Sequence, residues 1–118
     1  MPIVELHDLA WDELDDARRH YFLNAGQVVL DRFVEAFKVA SHEIELRPRS
    51  LAPYLLGTRF SRVKRFPYIL VFQEIDPNFM LVLAVAHLKR RPGYWRSGFG
   101  SDRTRRPTLG YHRDGGAT

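Results

Sequence analysis

The chain contains no cysteine. That excludes a disulfide scaffold, thiol catalysis and a zinc site built on thiolates, and it suits a reducing cytosol. Long hydrophobic runs are also missing: the longest, Phe79 to Ala86, is 8 residues, against the roughly 20 that a membrane helix needs. The opening MPIVELHDLAWDELDD has no basic stretch followed by an apolar one, so no secretory signal is expected. There is no phosphate-binding GxxxxGK[ST] loop, and Gly98-Phe99-Gly100 lacks the third glycine and the preceding strand of a dinucleotide loop. Serines are few, and none has a nucleophile-elbow setting. Among His7, His20, His42, His87 and His112 no pair has the three-to-five spacing of a metal site. Asp16 and His20 are four apart on one predicted helix face but have no third ligand nearby, so neither a metal nor another cofactor is expected. A small soluble cytoplasmic protein without a membrane partner is the expectation.

What is present suffices for one core. Of 118 residues, 45% are hydrophobic and 13% aromatic, too many for a wholly disordered chain. The net charge of +4 hides a split. Residues 1–46 carry ten acids and four bases, a balance of −6, whereas residues 47–118 carry fourteen bases and four acids, a balance of +10. Such a split either aims one face at phosphate or an acidic partner, or only keeps the surface soluble.

Pro2 to Leu6 reads as an edge strand, since proline is tolerated at a strand start. Asp8 follows as a helix N-cap, with acids crowding the first turns. Ala10, Leu14, Ala17 and Tyr21 form one helical stripe ending near Asn24-Ala25-Gly26; Leu30, Phe33, Phe37, Ala40 and Ile44 form a second, stopped at Arg47-Pro48. Two helices joined this closely predict an antiparallel helical hairpin. Then the period changes. Thr58 to Arg65 is extended, and Tyr68 to Ile75 and Phe79 to Ala86 read as central strands around an Asp76-Pro77-Asn78 turn. The fold class is therefore α+β: a helical hairpin on one face of a small antiparallel sheet, whose other face stays free. Residues 1–95 make this domain, and 96–118, rich in Gly, Ser, Thr and Arg, read as a disordered basic tail.

Two basic clusters follow from this layout. In Arg59-Phe60-Ser61-Arg62-Val63-Lys64-Arg65, strand alternation pairs Arg62 with Lys64 and Arg59 with Arg65. These cations either hold phosphate or guard an edge strand against edge-to-edge pairing. In His87-Leu88-Lys89-Arg90-Arg91-Pro92-Gly93-Tyr94-Trp95, the histidine stands at the sheet rim, suited to moving a proton near neutral pH. Tyr94 and Trp95 either stack on bases, with Lys89, Arg90 and Arg91 on the backbone phosphates, or anchor a returning segment by packing.

The helix HDLAWDELDDARRHY, the segment LDRFVEAF, Arg65-Phe66-Pro67-Tyr68 at the third strand and the ending VLAVAHLKRRPGYW together resemble the RelE/ParE family of bacterial type II toxins, in its ParE-like branch. The resemblance covers about residues 4 to 95. It implies a toxin involved in plasmid stabilisation, neutralised in a hetero-oligomer by an antitoxin encoded next to it. It also implies one of two targets: ribosome-bound mRNA, cut without metal, or DNA gyrase, poisoned by binding. On the nuclease pattern, His87 serves as base or acid, Arg62, Lys64 and Arg90 clamp the phosphate, and Tyr94 stacks. Arg59, Arg65, Lys89, Arg91 and Trp95 would then bind antitoxin or nucleic acid. The departures are a second strand richer in arginine than lysine and a Pro92-Gly93 interruption before Tyr94. An alternative is a degenerate, non-toxic member that only binds antitoxin or nucleic acid.

Overall fold

The structure is a computed structural model and describes residues 1–96. Strand β1 (Ile3–Leu6) leads into helix α1 (Asp8–Leu46); strands β2 (Arg59–Val63), β3 (Tyr68–Asp76) and β4 (Phe79–His87) follow after two short helical turns. The N-cap is His7, one residue before the expected Asp8: its Nδ1 accepts the N–H of Leu9 at 3.2 Å. Ala10, Leu14 and Ala17 are buried along the first stripe, and Phe33, Ala40 and Ile44 along the second.

A straight helix of 39 residues would be about 58 Å long, yet the molecule's longest dimension is 38 Å. The break is at Gly26, with φ 86 and ψ −179, a conformation open in practice only to glycine. Beyond it the helix returns, and the rings of Tyr21 and Phe33 meet 5.0 Å apart. The helical hairpin holds, with a single residue as its joint. It ends where expected, at Arg47, whose N–H still reaches the carbonyl of Glu43 at 3.0 Å before Pro48.

The strand order is β1-β4-β3-β2. β2, β3 and β4 form the expected antiparallel meander, but β1 pairs parallel to β4, so the sheet is mixed rather than antiparallel. A strand that joins its neighbour through a long crossover is free to run parallel to it, and side-chain alternation carries no mark of direction. β1 pairs only with Phe79 to Val82, so residues 83–87 of β4 lie beyond its reach.

One core lies between the hairpin and the sheet, built on Phe33, Ile44, Leu70, Phe72, Met80 and Val82. The other sheet face is not free. Ile69, Val71, Ala84 and Ala86 are buried there beneath Trp95, Tyr54 and Phe60. Among the described residues no helix is long and apolar enough to cross a membrane. The tail expected from Arg96 onward lies, past Arg96 itself, outside the described residues.

Candidate functional site

A cleft of about 350 Å³ opens at the end of β4, lined by Glu13, Asp16 and His20 of α1, by Tyr68 and His87, and by Arg90 and Tyr94. It exists because β1 is shorter than β4. The N–H of Val85 has no strand to bond, and Glu13 Oε1 accepts it at 2.8 Å. A chain of turns brings Tyr94 back: Leu88 N–H bonds the Pro67 carbonyl at 2.8 Å, Arg90 N–H that of His87 at 2.9 Å, and Tyr94 N–H that of Arg91 at 3.1 Å. Gly93, with φ 83, supplies the left-handed residue this reversal needs. The Tyr94 hydroxyl then donates to Glu13 Oε2.

Burial raises the Glu13 carboxyl above its ordinary value, against the lowering effect of its bonds from Tyr94 and Val85 and of Arg90 nearby. Burial and the Glu13 carboxylate hold the Tyr94 hydroxyl protonated well beyond the usual range of a phenol. The Arg90 guanidinium lies over the Tyr94 ring, 3.9 Å from its centroid. His87 Nδ1 accepts the N–H of Lys89 at 3.0 Å, which assigns the ring proton of the neutral form to Nε2. Desolvation, and then the charges of Lys89 and His20, lower its pKa, so the imidazole is neutral at neutral pH. Tyr68 meets it edge-on at 5.0 Å.

The five residues proposed for cleavage do not form one constellation. His87, Arg90 and Tyr94 line the cleft, whereas Arg62 and Lys64 line a separate groove with Arg65 and Arg32. The register explains this. Val63 pairs with Tyr68 and Tyr68 with His87, whereas Arg62 pairs with Ile69 and Ile69 with Ala86. Residues opposite one another share a face and neighbours along a strand do not, so His87 is on the hairpin side and Arg62 leaves the opposite side. Lys64 and Arg65 lie past the end of β2, in the turn, where strand alternation no longer applies.

Arg59 donates to the Leu51 carbonyl at 2.7 Å, a bond that closes a loop. Lys89 and Arg91 are exposed, and Arg91 lines a small cleft with Arg96. The expectation that Trp95 binds from the surface is corrected: it is 2% exposed and stacks on Tyr54 at 5.6 Å. Sequence reasoning missed Glu13. Its signal was a carboxylate three residues after Ala10 and four before Ala17, on the buried stripe. Asp16 and His20 do share the cleft, but among the described residues no group of three or more His, Cys, Asp or Glu side chains is placed to hold a metal ion.

Residues 4–92 match the family model of the ParE toxin of the type II toxin-antitoxin system parDE. A chain of the solved chromosomal ParDE TA system from P. aeruginosa is similar to this one with a TM-score of 0.65 and 16% identity, covering 75% of this chain and 98% of that one. At that identity the likeness speaks for the fold alone. No curated protein matches the sequence. The family match spans most of the chain and contains Glu13, His87 and Arg90, and the chain belongs to the ParE toxin family of type II toxin-antitoxin systems.

Proposed function

We propose that the chain arrests growth by binding DNA gyrase rather than by cutting RNA, and that an antitoxin encoded beside it holds it inactive. The observation that carries this reading is the separation of His87 from Arg62 and Lys64, which line a separate groove, with Arg62 leaving the sheet face opposite His87. Attack of a ribose 2′-hydroxyl on phosphorus needs a base within hydrogen-bond reach and cations aimed at the same phosphate. Here the cleft that holds the imidazole is also lined by Glu13 and Asp16, whose charge opposes a phosphate, with Arg90 as its cation. Glu13 already accepts two hydrogen bonds, one of them from Tyr94, which leaves this carboxylate a structural partner rather than a free base.

The test is inducible expression in bacteria, following DNA replication and protein synthesis in parallel. Replication is expected to stop first, purified gyrase to be inhibited, ribosome-bound mRNA to remain intact, and co-expression of the neighbouring gene to restore growth. Translation stopping first, with cut mRNA, overturns the gyrase reading.

A further inference from the structure

Between the two helical arms lies a cavity of about 580 Å³, a size usual for small-molecule sites. Trp11 and Leu14 of the first arm, Val34 and Phe37 of the second, and Leu6 of β1 give it apolar walls. It shares no residue with the cleft at the end of β4. Two buried residues of these walls carry polar groups without partners. The indole N–H of Trp11, a residue 5% exposed, meets no acceptor among the described residues. The hydroxyl of Ser41, a residue 7% exposed, has no hydrogen-bond partner among them either. Buried polar groups are paired as a rule, and leaving them unpaired is costly. Two such groups in one apolar cavity mark a place for an acceptor.

The charges around the cavity separate a small ligand from a protein partner. Most are spent within the chain: Arg18 pairs with Asp15 at 3.7 Å, His42 with Glu45 at 2.9 Å and Glu43 with Arg47 at 2.6 Å. A protein surface docked there would meet groups already neutralised, with little left to steer it. Among the described residues two lining charges have no ion-pair partner, Lys38 and Glu35, both exposed. Glu35 also lines the groove that holds Arg62 and Lys64, and it stands three residues from Arg32 as well as from Lys38. The free groups that remain are an ammonium, a hydroxyl and an indole N–H. The first and last only donate, and the hydroxyl can. They call for a negative head group that accepts, and the walls call for a chain that covers them.

We infer that this cavity binds an aliphatic monocarboxylate, a fatty acid of medium length. Its chain lies along Leu6, Leu14, Val34 and Phe37, and its carboxylate takes the Ser41 hydroxyl and the Lys38 ammonium, with the Trp11 N–H in the same wall. Each buried methylene is worth about fourfold in affinity, so the walls select the chain and the donors select the head. The site is independent of the toxin reading. Its test uses the chain alone, so failure here leaves that reading standing.

The experiment is an NMR titration of the full, isotope-labelled chain with hexanoate, octanoate and decanoate, each kept below its micelle concentration. The indole N–H signals of Trp11 and Trp95, told apart with Trp95→Phe, report separately. The Trp11 signal is expected to shift saturably, and that of Trp95, buried on the far sheet face, to stay. Affinity should rise about fourfold per methylene until the cavity is full. Lys38→Gln should weaken decanoate about tenfold, and Ser41→Ala about threefold, with the rest of the spectrum intact. Decanol, which carries no charge, should bind more weakly and be indifferent to Lys38→Gln. A Trp11 signal unmoved by decanoate overturns the proposal, and so does equal affinity across the series. Decyltrimethylammonium binding tighter than decanoate also overturns it, and assigns the head group to Glu35. A Trp11 shift that follows protein concentration without any ligand overturns it too, and assigns the cavity to a second copy of the chain.

Discussion

Glu13 and Tyr94, 81 positions apart in the chain, are joined by a hydrogen bond from the tyrosine hydroxyl to Oε2 of the carboxylate. Oε1 of the same group takes the N–H of Val85 at 2.8 Å. One side chain thus ties the first helical arm to β4 and to the last turn. Glu13→Ala leaves both donors without that acceptor, at about 1–3 kcal/mol each. Tyr94→Phe removes only one bond and should cost about 1 kcal/mol. Because the two residues share that bond, the double variant should lose less than the sum. Urea denaturation measures all three; a Glu13→Ala protein as stable as wild type would contradict the bridging role.

The same carboxylate predicts a pH dependence. The folded chain holds its proton more tightly than the unfolded one, because burial outweighs the hydrogen bonds and Arg90. A raised acid contributes stability below its unfolded value, near 4.5, and loses that contribution as pH rises through the folded value. Glu13→Gln cannot ionise and lacks this slope. Its stability relative to wild type should therefore improve from acidic to neutral pH, as read from urea curves at several pH values. A gap moving the other way would place the charged form, not the neutral one, as the favoured state.

How much of this was legible follows from which physical signals are local. The stripes of Phe33, Ala40 and Ile44 and the apolar runs of β3 and β4 are periodic, so the hairpin and the meander could be read directly. The direction of β1 could not, because a four-residue strand looks the same either way. The separation of Arg62 from His87 depends on register and on where β2 stops. A charged sequence such as Arg62-Val63-Lys64-Arg65 does not reveal that its last two residues belong to a turn. Trp95 read equally well as anchor or stacking platform, since either role wants a large flat ring. Only the position of the far sheet face decides it.

At the hairpin joint, Gly26→Ala should cost about 1–3 kcal/mol, the range for a residue forced into a sparsely populated conformation. A Cβ built there meets nothing within 4 Å, so crowding contributes nothing and the cost is the backbone's alone. Thermal melting and circular dichroism should show lower stability with helix content kept. An unchanged melt would mean that the two arms can join through another backbone geometry.

Trp95→Ala distinguishes an anchor from a binding platform. The ring fills the far face against Ile69, Val71, Ala84 and Ala86. Deleting a buried aromatic of this kind costs about 3–5 kcal/mol, a large share of a small domain's stability. A surface stacking residue would instead lose affinity for a ligand and leave the melt unchanged. Differential scanning calorimetry of the variant, with Trp95→Phe as the milder control, should show the loss.

His87 gives the last test, and it bears on function. Its pKa is lowered first by desolvation, then by the charge of Lys89 and then by His20. Followed by the ring-proton NMR shift, its midpoint should fall below the ordinary 6.5. Lys89→Gln should move it upward, and His20→Asn should do so by less. A lowered histidine favours folding above its unfolded value and loses that contribution as pH falls through the folded one, so wild type should weaken relative to His87→Gln in acid. A nuclease that relied on this imidazole would lose about a hundred- to ten-thousand-fold in rate on the change to glutamine. A toxin that binds through its surface loses at most one contact. Growth arrest by folded His87→Gln should therefore persist at near wild-type level, and its abolition, with the NMR spectrum otherwise intact, would return the imidazole to the centre of the chemistry.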